Sequence, residues 1–502
     1  MTARFSRRSF TTGVLATSAG LGWPTRAEER QTLVVAVQAD PVTLDPALMA
    51  SFFEISVQFN LHEPLVNMKA DFTLEPGLAA FERRDPLTYA FTLKQDLVFH
   101  DGSAIDAEAA KFNFDRMLDP ATASPRRAEL APIDIVQVTG PLTFTIHLKT
   151  PYEPLLQVLA LRAGMLVSPS AVTALGSEFG FRAVGAGPYK VVSWTKNSEL
   201  RLERFDRYWR GPAPIERIMF RPIADEVARL TNLKAGTVQL VDSVPPQAVP
   251  SLSADSSLRL KRRPGLGFNA FSFNTTRPPF DDVRVRRAFV EAVDPRAIIQ
   301  AAYFGQAALA RGPVPPAISW AYDETLAVVP ADPKEAKGQL EKTGISIPIP
   351  VAITIANSPI QIRVAEIIQA QAMGAGFSVS IRQVDAASLI SILRKKDFDL
   401  CLSPWSGRSD PDGNMFGWFT KKGPQDFSGY QSDEVTEILI RARATTSQME
   451  RAGLYRQAQK RIAADAPMLF VAFPDIVQAS ARALEWEQFA DGGFHLQFAR
   501  WN

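Results

Sequence analysis

The sequence predicts a mixed α/β protein built of two or three interlocked lobes, and three observations carry that reading. Strand and helix signals alternate from one end of the chain to the other. The 502 residues amount to several times a typical domain, so a single core cannot serve them all. No Gly/Ser linker, low-complexity run or solenoid-spaced repeat divides the chain, which points to lobes that share strands and crossovers.

Taken in order, LVVAVQ at 33–38 is a buried strand, and YAFTLK at 89–94 and TFTIHLK at 143–149 are half-buried ones. In the last, Phe144, Ile146 and Leu148 share one face, which leaves His147 on the wetter side. Asp101-Gly102 is a turn pair, after which Asp106 caps a helix over 107–118 with Ala107, Ala110, Phe114, Met117 and Leu118 on one stripe. Asp294-Pro295 and Asp332-Pro333 each place a cap before a proline at the first helical position, and the second of these helices stops at Gly344. VAITI at 351–355 is a strand, followed by a helix over 360–373 that ends at Gly374. Strands over 377–384 and 398–405 follow, with a helix between them. Strand–helix–strand order builds parallel sheets whose ligands sit beyond the carboxyl ends of the strands, so the segment after 405 is a place to look for a site.

The first residues predict an export signal. A basic start with Arg4, Arg7 and Arg8 precedes an apolar stretch from Gly13 to Trp23 and the small-x-Ala triplet Thr25-Arg26-Ala27. The apolar stretch is shorter than the roughly 20 residues a membrane span needs. Arg7-Arg8 with Phe10 resembles a twin-arginine signal, although Thr11-Thr12 replaces the usual completion, so the general export route stays open. Residues 1–27 are read as this signal, cleaved near Ala27, which predicts a periplasmic location. No Cys stands near that point to carry a lipid, and the single Cys401 allows no intramolecular disulfide.

A net charge of +2 argues against a nucleic-acid partner, and the longest basic cluster, Lys261-Arg262-Arg263, is a solvated strand end. The four histidines, His62, His100, His147 and His495, lack metal-ligand spacing, so no metal site and no cofactor are expected. VGAGPY at 184–189 has neither the phosphate-loop lysine nor G-x-G-x-x-G spacing, and no G-x-S-x-G elbow occurs. Cys401 reads as a packed strand residue. Asp410 and Asp412 form a remote candidate acid/base pair for a hydrolase, but both lie in one turn. The expectation is a protein that is not an enzyme.

A series of segments runs over nearly the whole mature chain: YAFTLKQDLVFHDGSAIDAEAAKFNFDRM at 89–117, VGAGPYKVVSW at 184–194, LERFDRYWRGPAPIERIMFR at 202–221 and LTNLKAGTVQLVDSVPP at 230–246. FNTTRPPFDDVRVRRAFVEAVD at 273–294, DFDLCLSPWSGRSDPDGNMF at 397–416 and GYQSDEV at 429–435 complete it. Together they resemble the family-five extracellular solute-binding proteins, the dipeptide, oligopeptide and nickel type. Ala186 and Ile105 depart from the family's usual Thr. The resemblance implies a two-lobed periplasmic binding protein fold of the class II type, with an extra inserted subdomain in the first lobe. Lobe I would comprise 28–55, 181–268 and 475–502, the insert 56–180 and lobe II 269–474, with crossovers near Gly265–Asn274 and Val471–Val477. It further implies a monomer that captures a small peptide or peptide-like solute in the inter-lobe cleft and delivers it to the permease subunits of an ABC transporter. A metal chelate, an opine or a sugar is the alternative cargo.

A peptide stripped of water needs a fixed partner for each charge. Asp410 resembles the acid that meets the ligand's amino group in peptide-binding relatives, against a plain turn role before Pro411. Arg408 and Arg363 are candidates for the ligand's carboxylate, against solvated surface roles; Arg363 stands where dipeptide-binding relatives place an arginine. Trp405 could stack on the ligand or simply pack at its strand end, and Phe52 and Phe53 could wall the cleft from the first lobe or lie in its core.

Overall fold

Beginning at the first strand, Thr32–Val37, the chain builds a sheet from both directions. In the computed structural model, which describes residues 32–50, 54–326, 330–489 and 491–502, this strand runs parallel to Arg217–Pro222 on one side and to Leu240–Val241 on the other. Antiparallel strands Glu199–Arg204 and Tyr189–Thr195 extend one edge. A second group centres on Ile349–Ala356, parallel to both Phe377–Val384 and Leu400–Leu402. All are joined into one twelve-stranded sheet by the long strand Met468–Ala481. Its first half pairs with Asn269–Phe273 and Ala307–Leu309, its second with Leu240–Val241 and Leu258–Pro264. The chain therefore passes between the two halves twice, between Pro264 and Asn269 and between Ala472 and Asp475.

A separate four-stranded antiparallel sheet, in the order Ala79–Asp85, Thr88–Leu93, Thr143–Leu148 and Ile133–Gly140, lies within the segment expected as an insert. Its core gathers residues from Leu65 to Leu166 together with Ala47 and Ala186, closed by the helix Ala107–Leu118. Val57 and Leu61, at the start of the 56–180 segment, and Val167, Ala171 and Phe179, near its end, pack instead with Leu33 and Val35 of the main sheet.

The capping residues explain the helix starts. Asp106, Asp294 and Asp332 each accept a backbone N–H from the first turn, at 2.8, 2.9 and 3.0 Å, and Pro295 and Pro333 occupy the first helical position. The helix after Asp332 ends at Glu341, three residues before Gly344, where the chain takes φ +78°. The strand expected over 398–405 is confined to Leu400–Leu402; beyond it Trp405 still bridges to Phe268 in the same register, as an isolated pair. Among the described residues no helix is long and apolar enough to cross a membrane.

His62 shows how tightly the first lobe is closed. Its ring is fully buried and Nε2–H donates to the Leu44 carbonyl at 2.9 Å. Burial pushes its pKa down from 6.5 to about 4. As pH falls below 6.5 the unfolded chain takes up this proton first, so stability present above 6.5 drains away between 6.5 and about 4. The whole loss from this ring is on the order of 3 kcal/mol. The urea midpoint is expected to fall from pH 7 to pH 5 while the His62 ring signals in NMR stay those of the neutral form. A ring that titrates near 6.5 in the folded protein would contradict this assignment.

Candidate functional site

The carboxyl ends of the parallel strands of both halves face one another. Strand Thr32–Val37 leads to Gln38, and Leu240–Val241 to Ser243; opposite them, Ile349–Ala356 leads to the helix Pro359–Gly374. Gln38 and Ser243 from one side, and Asn269, Tyr303 and Arg363 from the other, line a recess of about 310 Å³. A second recess forms where the 406–409 loop of the second half meets Ile55, Phe59, Arg126 and Arg162 of the first. It adjoins a chamber of about 430 Å³ with which it shares Phe59, Met68 and Asp491.

The 406–409 loop is held by one residue that sequence reasoning missed. Asn414 Oδ1 accepts from the Trp405 indole N–H at 2.9 Å and from the Arg408 backbone N–H at 2.8 Å, while its Nδ2 donates to the Arg408 carbonyl. Trp405 is also tied to Phe268 through reciprocal backbone hydrogen bonds of 2.9 and 3.0 Å and packs edge-on against Trp418. The Arg408 guanidinium lies over the Trp405 ring, 4.6 Å from its centroid, and reaches Glu129 of the insert at 3.6 Å. Burial holds this guanidinium below its usual value, with Glu129 opposing.

Asp410 has an internal partner. It caps the helix Pro411–Phe419 by accepting the Asp412 N–H at 2.9 Å, and the same oxygen accepts from Arg451 at 2.8 Å. Both side chains are 4 % exposed. Burial raises the Asp410 pKa and Arg451 opposes that rise. Asp412 is gripped by Arg443 through two hydrogen bonds of 2.9 and 2.7 Å. Each carboxylate of the remote hydrolase pair thus answers to its own arginine, and neither lines the two inter-lobe recesses.

Arg363 is exposed at the start of the second turn of its helix, with its guanidinium 5.5 Å from the centre of the Phe304 ring. It belongs to the larger recess and Arg408 to the smaller one, so the two candidate carboxylate partners are not brought together. Phe53, with Phe52, lies outside the described residues. Arg126, Arg162 and Glu129 come from the insert and went unnoticed in the sequence, where nothing local marks them. Cys401 is buried, and burial pushes its thiol up to about 12. Both His100 ring nitrogens meet backbone groups: one accepts the Gly185 N–H and the other donates to the Gly187 carbonyl. Among the described residues no cluster of three His, Cys, Asp or Glu side chains could hold a metal.

Comparison with known proteins decides the class. Residues 73–427 match the family described as bacterial extracellular solute-binding proteins, family 5 Middle. The chain belongs to family 5. A family 5 relative, the glutathione-binding protein GsiB of Pectobacterium atrosepticum, is 30 % identical over 473 residues, covering 90 % of each chain. Among solved structures, the ABC transporter-associated periplasmic binding protein DppA of Helicobacter pylori, in complex with the peptide STSA, is 25 % identical with a TM-score of 0.85, covering 95 % of this chain and 99 % of that one. NikZ of Campylobacter jejuni, in complex with Ni(L-His), shares the fold at 23 % identity and a TM-score of 0.82, covering 91 % and 95 %. The protein is a two-lobed family 5 binding protein of the ABC-importer class, and its relatives are solute-binding proteins.

Proposed function

We propose that this family 5 protein captures a small peptide or peptide-like solute in the periplasm and hands it to the permease subunits of its importer. The observation that carries the reading is the pair of recesses in which strand ends and loops of the two lobes face each other, walled by polar side chains that could meet a zwitterion. The ligands in the names of its relatives, glutathione and the peptide STSA, support the same chemical class. Residues 1–27 act in this reading as an export signal cleaved near Ala27. The protein works by affinity and hinge closure, without turnover: the open form admits the solute and the closed form, as a monomer, is what the permease recognises. In the test, residues 28–502 are purified, unfolded to release retained small molecules, and the extract is identified by mass spectrometry. Short peptides are the expected result. A sugar, an opine or a metal chelate would overturn the peptide assignment and leave the binding role standing.

A further inference from the structure

We infer that the recess at Ser406–Ser409 receives a carboxylate of the ligand, so that the solute docks against the second lobe by its anionic end. This rests on the reading of the inter-lobe cleft as the peptide site; it keeps the carboxylate role that the sequence offers for Arg408 and drops the amine role that it offers for Asp410. Three guanidinium groups converge there: Arg408 from the loop, and Arg126 and Arg162 from the insert. Arg126 and Arg408 share one carboxylate, Glu129, at 2.5 and 3.6 Å. In Glu129 burial acts to raise the pKa, but Arg126, Arg408 and Arg162 outweigh it and the net shift is downward. The opposite imbalance shows in Arg162, pushed down to about 9 by burial and then by Arg126 and Arg408, against Glu129 and Glu54. The lining of the recess holds these three guanidinium groups with two carboxylates, Glu129 and Asp491, and Glu54 acts on Arg162 from beyond it.

Two buried donors point the same way. Ser409 is 7 % exposed and its hydroxyl has no hydrogen-bond partner among the described residues; Arg126 is 6 % exposed and its Nε is likewise unmatched. Buried donors of this kind carry a desolvation cost that an acceptor relieves. A carboxylate offers two acceptor oxygens suited to a guanidinium fork. Size agrees: the recess measures about 30 Å³. One water-sized group needs roughly 10–15 Å³, so the space suits a pair of oxygens and not a whole ligand. The body of the solute then extends past Asp491 into the 430 Å³ chamber. There Lys69 and Arg210 both pair with Glu75, and Asp71 and Glu487 line the same chamber, where they can face a ligand amine. Asp410 lies outside the lining of this recess, and Arg451 already meets its charge.

The test is calorimetric titration of the ligand-free chain with Ala-Ala-Ala, glutathione, the C-terminal amides of both, and glutarate. Amidation is expected to weaken Ala-Ala-Ala at least tenfold. Arg408→Gln, or Arg126→Gln should the first variant fail to fold, is expected to erase the difference between acid and amide. An amide that binds the wild-type protein as tightly as its acid overturns the inference and leaves the peptide reading intact. Glutarate bound without either peptide, and lost in Arg408→Gln, upholds the anion recess and sinks the peptide reading. Absence of binding by all three carboxylates overturns the inference.

Discussion

Asp410→Ala is expected to lower folding stability by about 3–5 kcal/mol, because it strands a buried cation. Arg451 is 4 % exposed, and after the substitution its guanidinium keeps only the Ala442 carbonyl and the Tyr455 hydroxyl as acceptors. Loss of the cap on Pro411–Phe419 adds about 1 kcal/mol. Urea denaturation measures the effect. The companion variant is Asp410→Asn with Arg451→Met, which removes both charges while keeping similar volume. It is expected to be markedly more stable than Asp410→Ala, since exchange of a whole buried pair costs far less than breaking it. If Asp410 instead served a ligand amine, Asp410→Ala would weaken binding and leave the urea midpoint in place. That pattern would return Asp410 to the site.

Gly407→Ala is expected to reduce ligand affinity at least tenfold. The residue has φ +79°, and the left-handed backbone alone costs a side-chain-bearing residue about 1–2 kcal/mol. Space matters more. A Cβ here would lie 2.1 Å from the Leu266 carbonyl oxygen and 2.2 Å from its carbon, both backbone atoms that cannot rotate aside. Gly267 is equally cramped, since a Cβ there would lie 2.1 Å from the Trp405 carbonyl oxygen. The two glycines let two stretches of backbone touch, and that contact sets the height at which Arg408 enters the cleft. Gly407→Asn separates the causes, since Asn tolerates left-handed backbone but not the collision. It is expected to fail as badly as Ala in the same calorimetric titration; recovery of binding would show that conformation and not contact is what matters.

Legibility followed the range of the interactions concerned. Caps such as Asp106, Asp294 and Asp332 act within three residues, so the helix starts stood in the sequence as plainly as in the structure. Parallel order of the strands over 351–355 and 377–384 was likewise readable, and it directed attention to the loop that holds Trp405 and Arg408. What the sequence hid was long-range. Arg443 and Arg451 stand 31 and 41 residues beyond the aspartates they neutralise, on helices that no local motif ties to the turn. Arg126 and Arg162 reach the recess only because the insert folds back over the loop. Asn414 reads in the sequence as part of a turn motif, yet its three hydrogen bonds fix the loop from behind. Charge complementarity of this kind is decided by topology.

The strand Met468–Ala481 has a mechanical meaning. Because it is laced into both halves of the sheet, the lobes cannot slide or rotate freely against each other without tearing a ladder. The compliant spot is where pairing changes partners, and proline sits at each crossing: Pro474 on this strand and Pro264 on its neighbour, neither with an N–H to contribute. The pair behaves as a flexure, soft to bending across the sheet and stiff in every other direction. In the proposed cycle, opening and shutting would then trace a single arc, and the two rims would meet in the same alignment each time they close on a solute.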